Sequence, residues 1–204
     1  MFLRDIEGEA QRSFSYSDIL VIDLETTGID PDKHEIIQIG ACKLNLKTQI
    51  IDNPWSIYTV PEHWETASKE SLEVNHISKS LLDRKAVPLE HALLELENRF
   101  YQDGLIISSW GIDFDKGFLT HAYNSVSLLN PFAQRWLDAR TFAWIVSDLI
   151  GKQERPKLND FLRSLGLKFD GREHDASADA KNTARALLEG YKRLKALSRA
   201  TGDV

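Results

Sequence analysis

The feature that most constrains the fold of this chain is a pair of carboxylates inside an apolar run, residues 18–28, which read DILVIDLETTG. The run over residues 19–24 predicts a buried β-strand that ends at the following turn. Because side chains alternate along a strand, Asp23 and Glu25 project from the same face, roughly 6.6–7 Å apart. Two charges in a buried strand are costly unless something compensates them, and a divalent cation would compensate both.

The size and composition of the chain predict one globular domain. It has 204 residues, of which 42% are hydrophobic and 27% are charged, as in an ordinary soluble protein. We expect a single domain over residues 18–200, preceded by an extension over residues 1–17 that lacks clear periodicity. A single cysteine, Cys42, excludes an internal disulfide and fits a cytoplasmic location. No apolar stretch approaches a membrane span, and the N-terminus is too charged for a signal peptide.

The net charge of −6 argues against a protein that holds nucleic acid by a broad basic surface. It does not argue against an enzyme whose acidic cluster is neutralised by metal ions, because those ions dominate the local field. The basic residues late in the chain are interpreted as the solvated face of a helix.

The order of the predicted elements indicates an α/β fold. Three consecutive β-rich segments form a meander, and strands then alternate with helices, which predicts a mixed sheet covered by helices. The predicted strands cover residues 19–25, 36–46, 49–60, 105–109 and 135–137. The predicted helices cover residues 66–75, a segment after Pro88 that ends at Gly104, a segment from about Asp115, and residues 141–150, 157–165 and 176–197.

A third carboxylate, Asp115, lies on the apolar stripe of its predicted helix, which includes Leu119, Ala122 and Val126. It follows a predicted strand by a short loop, so its side chain can point into the crevice above the sheet. The alternative is that Asp115, or Asp113 before it, only caps the helix. The residue alone favours the cap.

His174 and Asp179 lie at the start of the last predicted helix, five positions apart in the sequence. On a continuous helix they would point roughly 140° apart. They can therefore serve one site only if His174 lies on the preceding loop and Asp179 in the first turns, with Asp175 or Ser177 as the N-cap. Asp179 would also be stabilised by the positive end of the helix dipole. The alternative is that His174 is an ordinary exposed histidine.

Together these segments form a specific pattern: Asp-x-Glu-Thr-Thr-Gly on the first strand, Phe-Asp-x-x-Phe-Leu at the central helix, and His-x-Ala-x-x-Asp-Ala at the last helix. The pattern resembles the DEDD superfamily of 3′→5′ exonucleases, in particular its histidine-bearing branch, which includes proofreading subunits. Further agreement comes from Gln38-Ile-Gly, from Pro61 and from the helix that ends at Gly166. The resemblance spans about residues 18–190 and implies a ribonuclease H-like fold, with three antiparallel strands followed by parallel ones.

The resemblance also implies roles for individual residues. Asp23, Glu25, Asp115 and Asp179 would hold two Mg²⁺ or Mn²⁺ ions roughly 3.5–4 Å apart, and His174 would be the general base. Thr26 and Thr27 would lie beside the terminal nucleotide. The implied substrates are single-stranded 3′ ends of DNA or RNA, and the implied products are nucleoside 5′-monophosphates. Any polymerase partner would act in trans.

The loop before Asp115 departs from many relatives, which carry a His-Asn pair where this chain reads SWGIDF over residues 109–114. A Trp-Gly pair here resembles an RNA-processing sub-branch, although displaced by one residue. Trp110 either stacks on a base or belongs to the core. Two other functions stay open at this point: a non-catalytic nucleic-acid-binding or adaptor domain, and a protein-interaction domain whose acids are caps and surface charges.

Overall fold

The computed structural model of the protein describes residues 18–151 and 156–201. The predicted extension, residues 1–17, lies outside the described residues. Within the described ranges the chain forms a six-stranded sheet. The strands are β1 (Asp18–Thr26), β2 (Ile36–Asn45), β3 (Ile50–Ile51), β4 (Trp55–Tyr58), β5 (Ile106–Ser109) and β6 (Trp136–Asp138).

The sheet is mixed. β1 pairs antiparallel with β2 and parallel with β5, which in turn pairs parallel with β6. The outer edge of β2 is shared by β3 and β4, both antiparallel. β1 is therefore a central strand with a neighbour on each side. This topology confirms the predicted meander followed by parallel strands.

Seven helices cover the sheet in the described ranges. They are α1 (Lys69–Asn75), α2 (Lys79–Lys85), α3 (Leu89–Phe100), α4 (Ile112–Ser125), α5 (Ala139–Leu149), α6 (Leu158–Ser164) and α7 (Ala176–Thr201), with a 3₁₀ turn at Trp64–Thr66. None of the described helices is long and apolar enough to cross a membrane.

Alternate side chains of β1 enter the two layers of the core. Leu20, Ile22 and Leu24 pack with the buried faces of α3 and α4, whereas Ile19 and Val21 pack with α7. Because the side chains alternate, the next two members of the α7-facing series are Asp23 and Glu25. The strand thus begins as core and ends as a pair of carboxylates beneath the start of α7.

Two predicted elements differ from the structure, and one helix was not predicted. The predicted strand over residues 49–60 is two short strands, because Pro54 between them has no N–H to donate to β2. The helix predicted from Asp115 begins earlier, after Gly111, which adopts a φ of 100° as its N-cap. The sequence reasoning missed α2, whose only buried residue is Leu82, so it has no apolar stripe. Its start is set by Ser78, whose side chain accepts a hydrogen bond from the Leu81 amide.

Candidate active site

The first pair of site residues is positioned by the pairing of β1 with β2. Asp23 lies opposite Gly40, and Glu25 lies opposite Gln38. Both carboxylates are partly buried on the α7 side of the sheet. Their shared face is the one predicted from the alternation of the strand.

The N-terminus of α7 rests on β2 directly across from this pair. A Cβ at Gly40 would overlap the carbonyl of Ala176, the first residue of α7. The Gln38 side chain, which is 1% exposed, accepts a hydrogen bond from the Ala176 amide at 3.3 Å and donates one to Asp175 at 3.5 Å. The Gln38-Ile39-Gly40 segment therefore fixes where α7 begins and how closely it approaches the sheet.

The predicted division between loop and helix is present at this point. Asp175 is the N-cap, since its Oδ1 accepts hydrogen bonds from the Ser177 and Ala178 amides. His174 lies on the loop with a left-handed φ of 60°, and its amide donates a 2.8 Å hydrogen bond to Oδ2 of Asp179. The left-handed residue turns the chain so that both side chains face Glu25.

Asp115 reaches the same site from α4. It lies in the first turn and is only 5% exposed, and its Oδ1 accepts a 3.0 Å hydrogen bond from the Leu24 amide. The pairing of β1 with β5 stops at Val21, so this carboxylate binds a β1 amide beyond the end of that ladder. The side chain of Asp115 therefore connects α4 to β1.

These side chains line one cleft of about 570 Å³ at the carboxyl ends of β1 and β5. All five residues predicted to be catalytic contribute to its wall: Asp23, Glu25, Asp115, His174 and Asp179. The rim is more apolar and includes Ile29, Val74 and Phe114, all exposed. The cleft thus combines an acidic floor with an apolar rim.

The electrostatics of the floor are dominated by burial and by like charge. Burial, followed by the charges of Asp115 and Asp179, raises the pKa of Asp23 well above its ordinary value. Burial and the charge of Asp179 raise the pKa of Glu25 to about 8. Burial raises the pKa of Asp115 to about 7 and that of Asp179 to about 6. The site holds more negative charge than its own cations neutralise.

This donor set fits a divalent cation. Glu25, His174 and Asp179 each offer a ligand atom, and these atoms all lie within 4.8 Å of one another. Carboxylate oxygens are the ligands that Mg²⁺ and Mn²⁺ prefer, and an ion among them would relieve the repulsion that raises their pKa values. The protein therefore carries an acidic cluster that can bind metal.

The structure places the three predicted substrate-contact residues differently. Thr26 lines the cleft, and its hydroxyl donates to the Gly28 carbonyl. Thr27 is fully buried and outside the cleft wall, where its Oγ1 accepts a 2.9 Å hydrogen bond from the Glu35 amide. Trp110 lines the cleft and also packs against the core, where its ring centroid lies 6.1 Å from that of Phe161. The contacts of Thr26 and Trp110 with substrate stay predictions, and Thr27 supports the turn.

Two residues that the sequence did not predict, Asn75 and Arg172, support the acidic floor of the cleft through hydrogen bonds and charge. Asn75 is buried at the end of α1, and its side-chain amide donates a 3.1 Å hydrogen bond to the Thr26 carbonyl. Arg172 donates a 3.2 Å hydrogen bond to the Asn75 carbonyl, and its charge lowers the pKa of Glu25. Their partners are 49 and 97 positions away in the sequence, so no local pattern could have found them.

Comparison with known proteins assigns the family. Residues 20–187 match the family RNase_T, described as an exonuclease. The chain belongs to this exonuclease family. The match covers the strand with Asp23 and Glu25 and the helix start with Asp179, and it confirms the predicted membership of the exonuclease superfamily.

The curated relatives include ribonucleases and a polymerase. The chain is 28% identical over 203 residues to human ERI1 exoribonuclease 2, covering 86% of this chain and 28% of the relative. It is 30% identical over 190 residues to human 3′-5′ exoribonuclease 1, covering 87% and 53%. It is also 30% identical to the DNA polymerase III PolC-type of Thermotoga maritima, covering 90% and 12%. The chain thus spans between about an eighth and a half of the length of these relatives.

Solved structures confirm the fold class. The nuclease domain of 3′hExo, a DEDDh family member bound to rAMP, superposes with a TM-score of 0.71 at 26% identity, covering 87% of this chain and 92% of that one. Cell-death related nuclease 4 superposes with a TM-score of 0.75 at 15% identity, covering 87% and 64%. The first supports the histidine-bearing branch, and the second shows the ribonuclease H-like fold alone.

Proposed function

We propose that this protein is a metal-dependent 3′→5′ exonuclease that hydrolyses phosphodiester bonds at single-stranded 3′ ends and releases nucleoside 5′-monophosphates. The observation that carries the proposal is the convergence of Asp23, Glu25, Asp115 and Asp179 with His174 on one cleft. These residues come from β1, from α4 and from the start of α7. Membership of an exonuclease family supports the same reaction.

The four carboxylates are proposed to hold two Mg²⁺ or Mn²⁺ ions. Such ions, when bound, stabilise both the attacking and the leaving oxygen of a phosphodiester. The chain's own contribution is to hold the ligands in place before metal arrives. The Leu24 amide holds one oxygen of Asp115, and the His174 amide holds one oxygen of Asp179.

His174 is proposed to be the general base. Its side chain is exposed at the mouth of the cleft and within reach of Glu25 and Asp179. A neutral imidazole can accept a proton from an attacking water. The two neighbouring carboxylates would stabilise the imidazolium that results.

We favour RNA over DNA as the substrate. Two of the curated relatives carry the name exoribonuclease, and the Trp110-Gly111 pair lies at the cleft wall where a base could stack. The PolC-type relative supports DNA as the second candidate. A polymerase or other partner in trans and a cytoplasmic location stay predictions.

The rival function is a non-catalytic nucleic-acid-binding or adaptor domain that retains the exonuclease fold. Loss of a carboxylate or of the histidine from the cleft would favour it. All five side chains are present and line the same cavity, which favours an enzyme.

The test is metal-dependent release of mononucleotides. A 3′-labelled oligonucleotide is incubated with Mg²⁺ or with Mn²⁺, and single-stranded RNA, single-stranded DNA and mismatched duplex DNA are compared side by side. Wild type should release labelled mononucleotide, fastest from RNA, whereas Asp23→Ala should release none. Failure of the wild type on every substrate, with both metals, would leave the adaptor function as the better explanation.

A further inference from the structure

Arg140 lies in the first turn of α5 and reaches the wall of the cleft. Its guanidinium lies across the turn at Gly111, where an added Cβ would come within 3.0 Å of Cζ. Gly111 has a φ of 100°, a backbone conformation that residues with a Cβ rarely adopt. The glycine thus leaves space for the arginine to lie along the Trp110-Gly111 turn.

One hydrogen-bond donor of the Arg140 guanidinium is unused within the described residues. Its Nε is buried and, within the described part of the chain, has no hydrogen-bond partner. The nearby carboxylate of Asp138 is already occupied, because it accepts hydrogen bonds from the Arg140 amide and from the Thr141 hydroxyl. Buried donors are nearly always satisfied, so this arginine keeps hydrogen-bonding capacity that the described residues do not use.

The charge of the cleft narrows the choice of ligand. Among the described residues that line it, Arg140 is the only lysine or arginine. Of the six acids that line it, four are at least partly buried, and two, Glu70 and Asp113, are exposed. Arg140 makes no ion pair with any of them in the described ranges, so it is not neutralised by the acidic floor. Arginine presents a planar fork of donors that matches two oxygens of a phosphate.

We propose that Arg140 binds the non-bridging oxygens of the internucleotide phosphate next to the scissile one, on its 5′ side. This rests on the proposed function, since it requires that the cleft hold a strand. The scissile phosphate belongs over the acidic floor, where metal ions would supply the positive charge. A cation that is separate from that floor can instead anchor the following phosphate and fix the register of the strand.

The experiment measures binding without turnover. Short single-stranded RNAs are titrated into the intact protein with Ca²⁺ in place of Mg²⁺, and gels verify that the RNA stays intact. One RNA is unmodified, and two others carry a neutral methylphosphonate at either the first or the second linkage from the 3′ end. The variants are Arg140→Gln, Arg140→Lys and a control, Arg163→Gln, which removes an exposed arginine that pairs with Asp160 on α6.

If the proposal is right, the effect of replacing Arg140 and the effect of the methylphosphonate at the second linkage should depend on each other. Arg140→Gln should weaken binding of unmodified RNA roughly 10- to 100-fold and reduce the slope of log K against log salt by about 0.7. The methylphosphonate at the second linkage should weaken wild type but not weaken Arg140→Gln further. Arg140→Lys should recover part of the affinity, because it keeps the charge without the fork. Arg163→Gln should bind like wild type.

Other outcomes overturn the assignment. An unchanged salt slope, or equal sensitivity of both proteins to the second methylphosphonate, would make Arg140 a structural residue. Coupling at the first linkage would place the arginine on the scissile phosphate instead. If Arg140→Gln does not fold, the same comparison of modified and unmodified RNAs is made with Arg140→Lys, and its result decides whether Arg140 contacts the second phosphate. Coupling at the second linkage in a protein that releases no mononucleotide would overturn only the proposed activity, whereas cleavage without coupling would overturn only the role of Arg140.

Discussion

Gly40 of β2 lies against the carbonyl of Ala176, the first residue of α7, with no room for a side chain between them. Gly40 also pairs with Asp23 in the sheet. One glycine therefore sets the distance between the strand that carries Asp23 and the helix start that carries Asp179. The site depends on this close approach of backbone to backbone.

Replacing Gly40 with Ala should separate the two halves of the site. The added methyl would meet main-chain atoms of Ala176, which cannot turn aside as a side chain can. Overpacking of this kind costs about 1–3 kcal/mol, and displacement of α7 should lower kcat much more than it raises KM for RNA. Urea denaturation and steady-state kinetics measure the two effects.

Gly117→Ala is the matched control. Gly117 lies inside α4, and the nearest atom to an added Cβ is Cγ of Pro31 at 4.0 Å. Inside a helix, alanine is more favourable than glycine by about 1 kcal/mol. The Gly117→Ala variant should therefore be more stable than wild type and fully active. Equal behaviour of the two variants would show that the contact between Gly40 and Ala176 does not hold the site together.

Replacing Asp23 with Asn should stabilise the metal-free protein and weaken metal binding. Burial and four neighbouring carboxylates raise the pKa of Asp23, and an amide removes that charge at nearly the same size. We expect a gain of about 1 kcal/mol or more in the free energy of unfolding near pH 8 in EDTA. Calorimetry should show Mg²⁺ affinity reduced at least about tenfold.

Asp113→Asn serves as the control for this change, since Asp113 is an exposed acid on the same cleft wall. Its removal should leave the metal-free stability and the Mg²⁺ affinity close to those of wild type. If both variants lowered the affinity alike, the general negative charge of the cleft would matter and not the position of Asp23.

The sequence predicts local relationships well and long-range contacts poorly. The shared face of Asp23 and Glu25 follows from strand alternation alone, and the turn between His174 and Asp179 follows from helix geometry. Asp115 shows the limit, because its residue type favoured a helix cap whereas its partner is the Leu24 amide, 91 positions away. Arg140 had no signal in the sequence, since its buried Nε matters only once α5 is placed beside Gly111.

The stability of the metal-free protein should fall as the pH rises. In the folded state the pKa values of Asp179, Asp115 and Glu25 are about 6, 7 and 8, above their ordinary values near 4. The folded state therefore binds these protons more tightly than the unfolded state. The resulting stabilisation is complete below about pH 4, is lost most steeply between about pH 4 and 6, and is fully lost above about pH 8.

Mg²⁺ should reverse this dependence, because it binds the deprotonated carboxylates. Urea denaturation in EDTA and in saturating Mg²⁺, at about pH 5.5, 7 and 8.5, should show a metal-induced gain in stability that grows with pH. Asp23→Asn should flatten the profile in EDTA. A metal-induced gain that was the same at all three values would contradict the raised pKa values.

Replacing His174 with Asn should separate metal binding from catalysis. His174 has a φ of 60°, which Asn tolerates better than most residues, so the loop should keep its path and its amide bond to Asp179. Loss of a positioned general base should lower kcat roughly 10²- to 10⁴-fold, with Mg²⁺ affinity nearly unchanged by calorimetry. The same experiment with His174→Ala should agree.

His76→Asn is the control for the backbone, because His76 is also exposed and has a φ of 59° at the end of α1. It does not line the cleft, so kcat should stay within about twofold of wild type. The close grouping of His174 with Glu25 and Asp179 offers one competing role, that of a metal ligand. A drop in Mg²⁺ affinity as large as the drop in kcat, seen for His174→Asn but not for His76→Asn, would assign it that role instead.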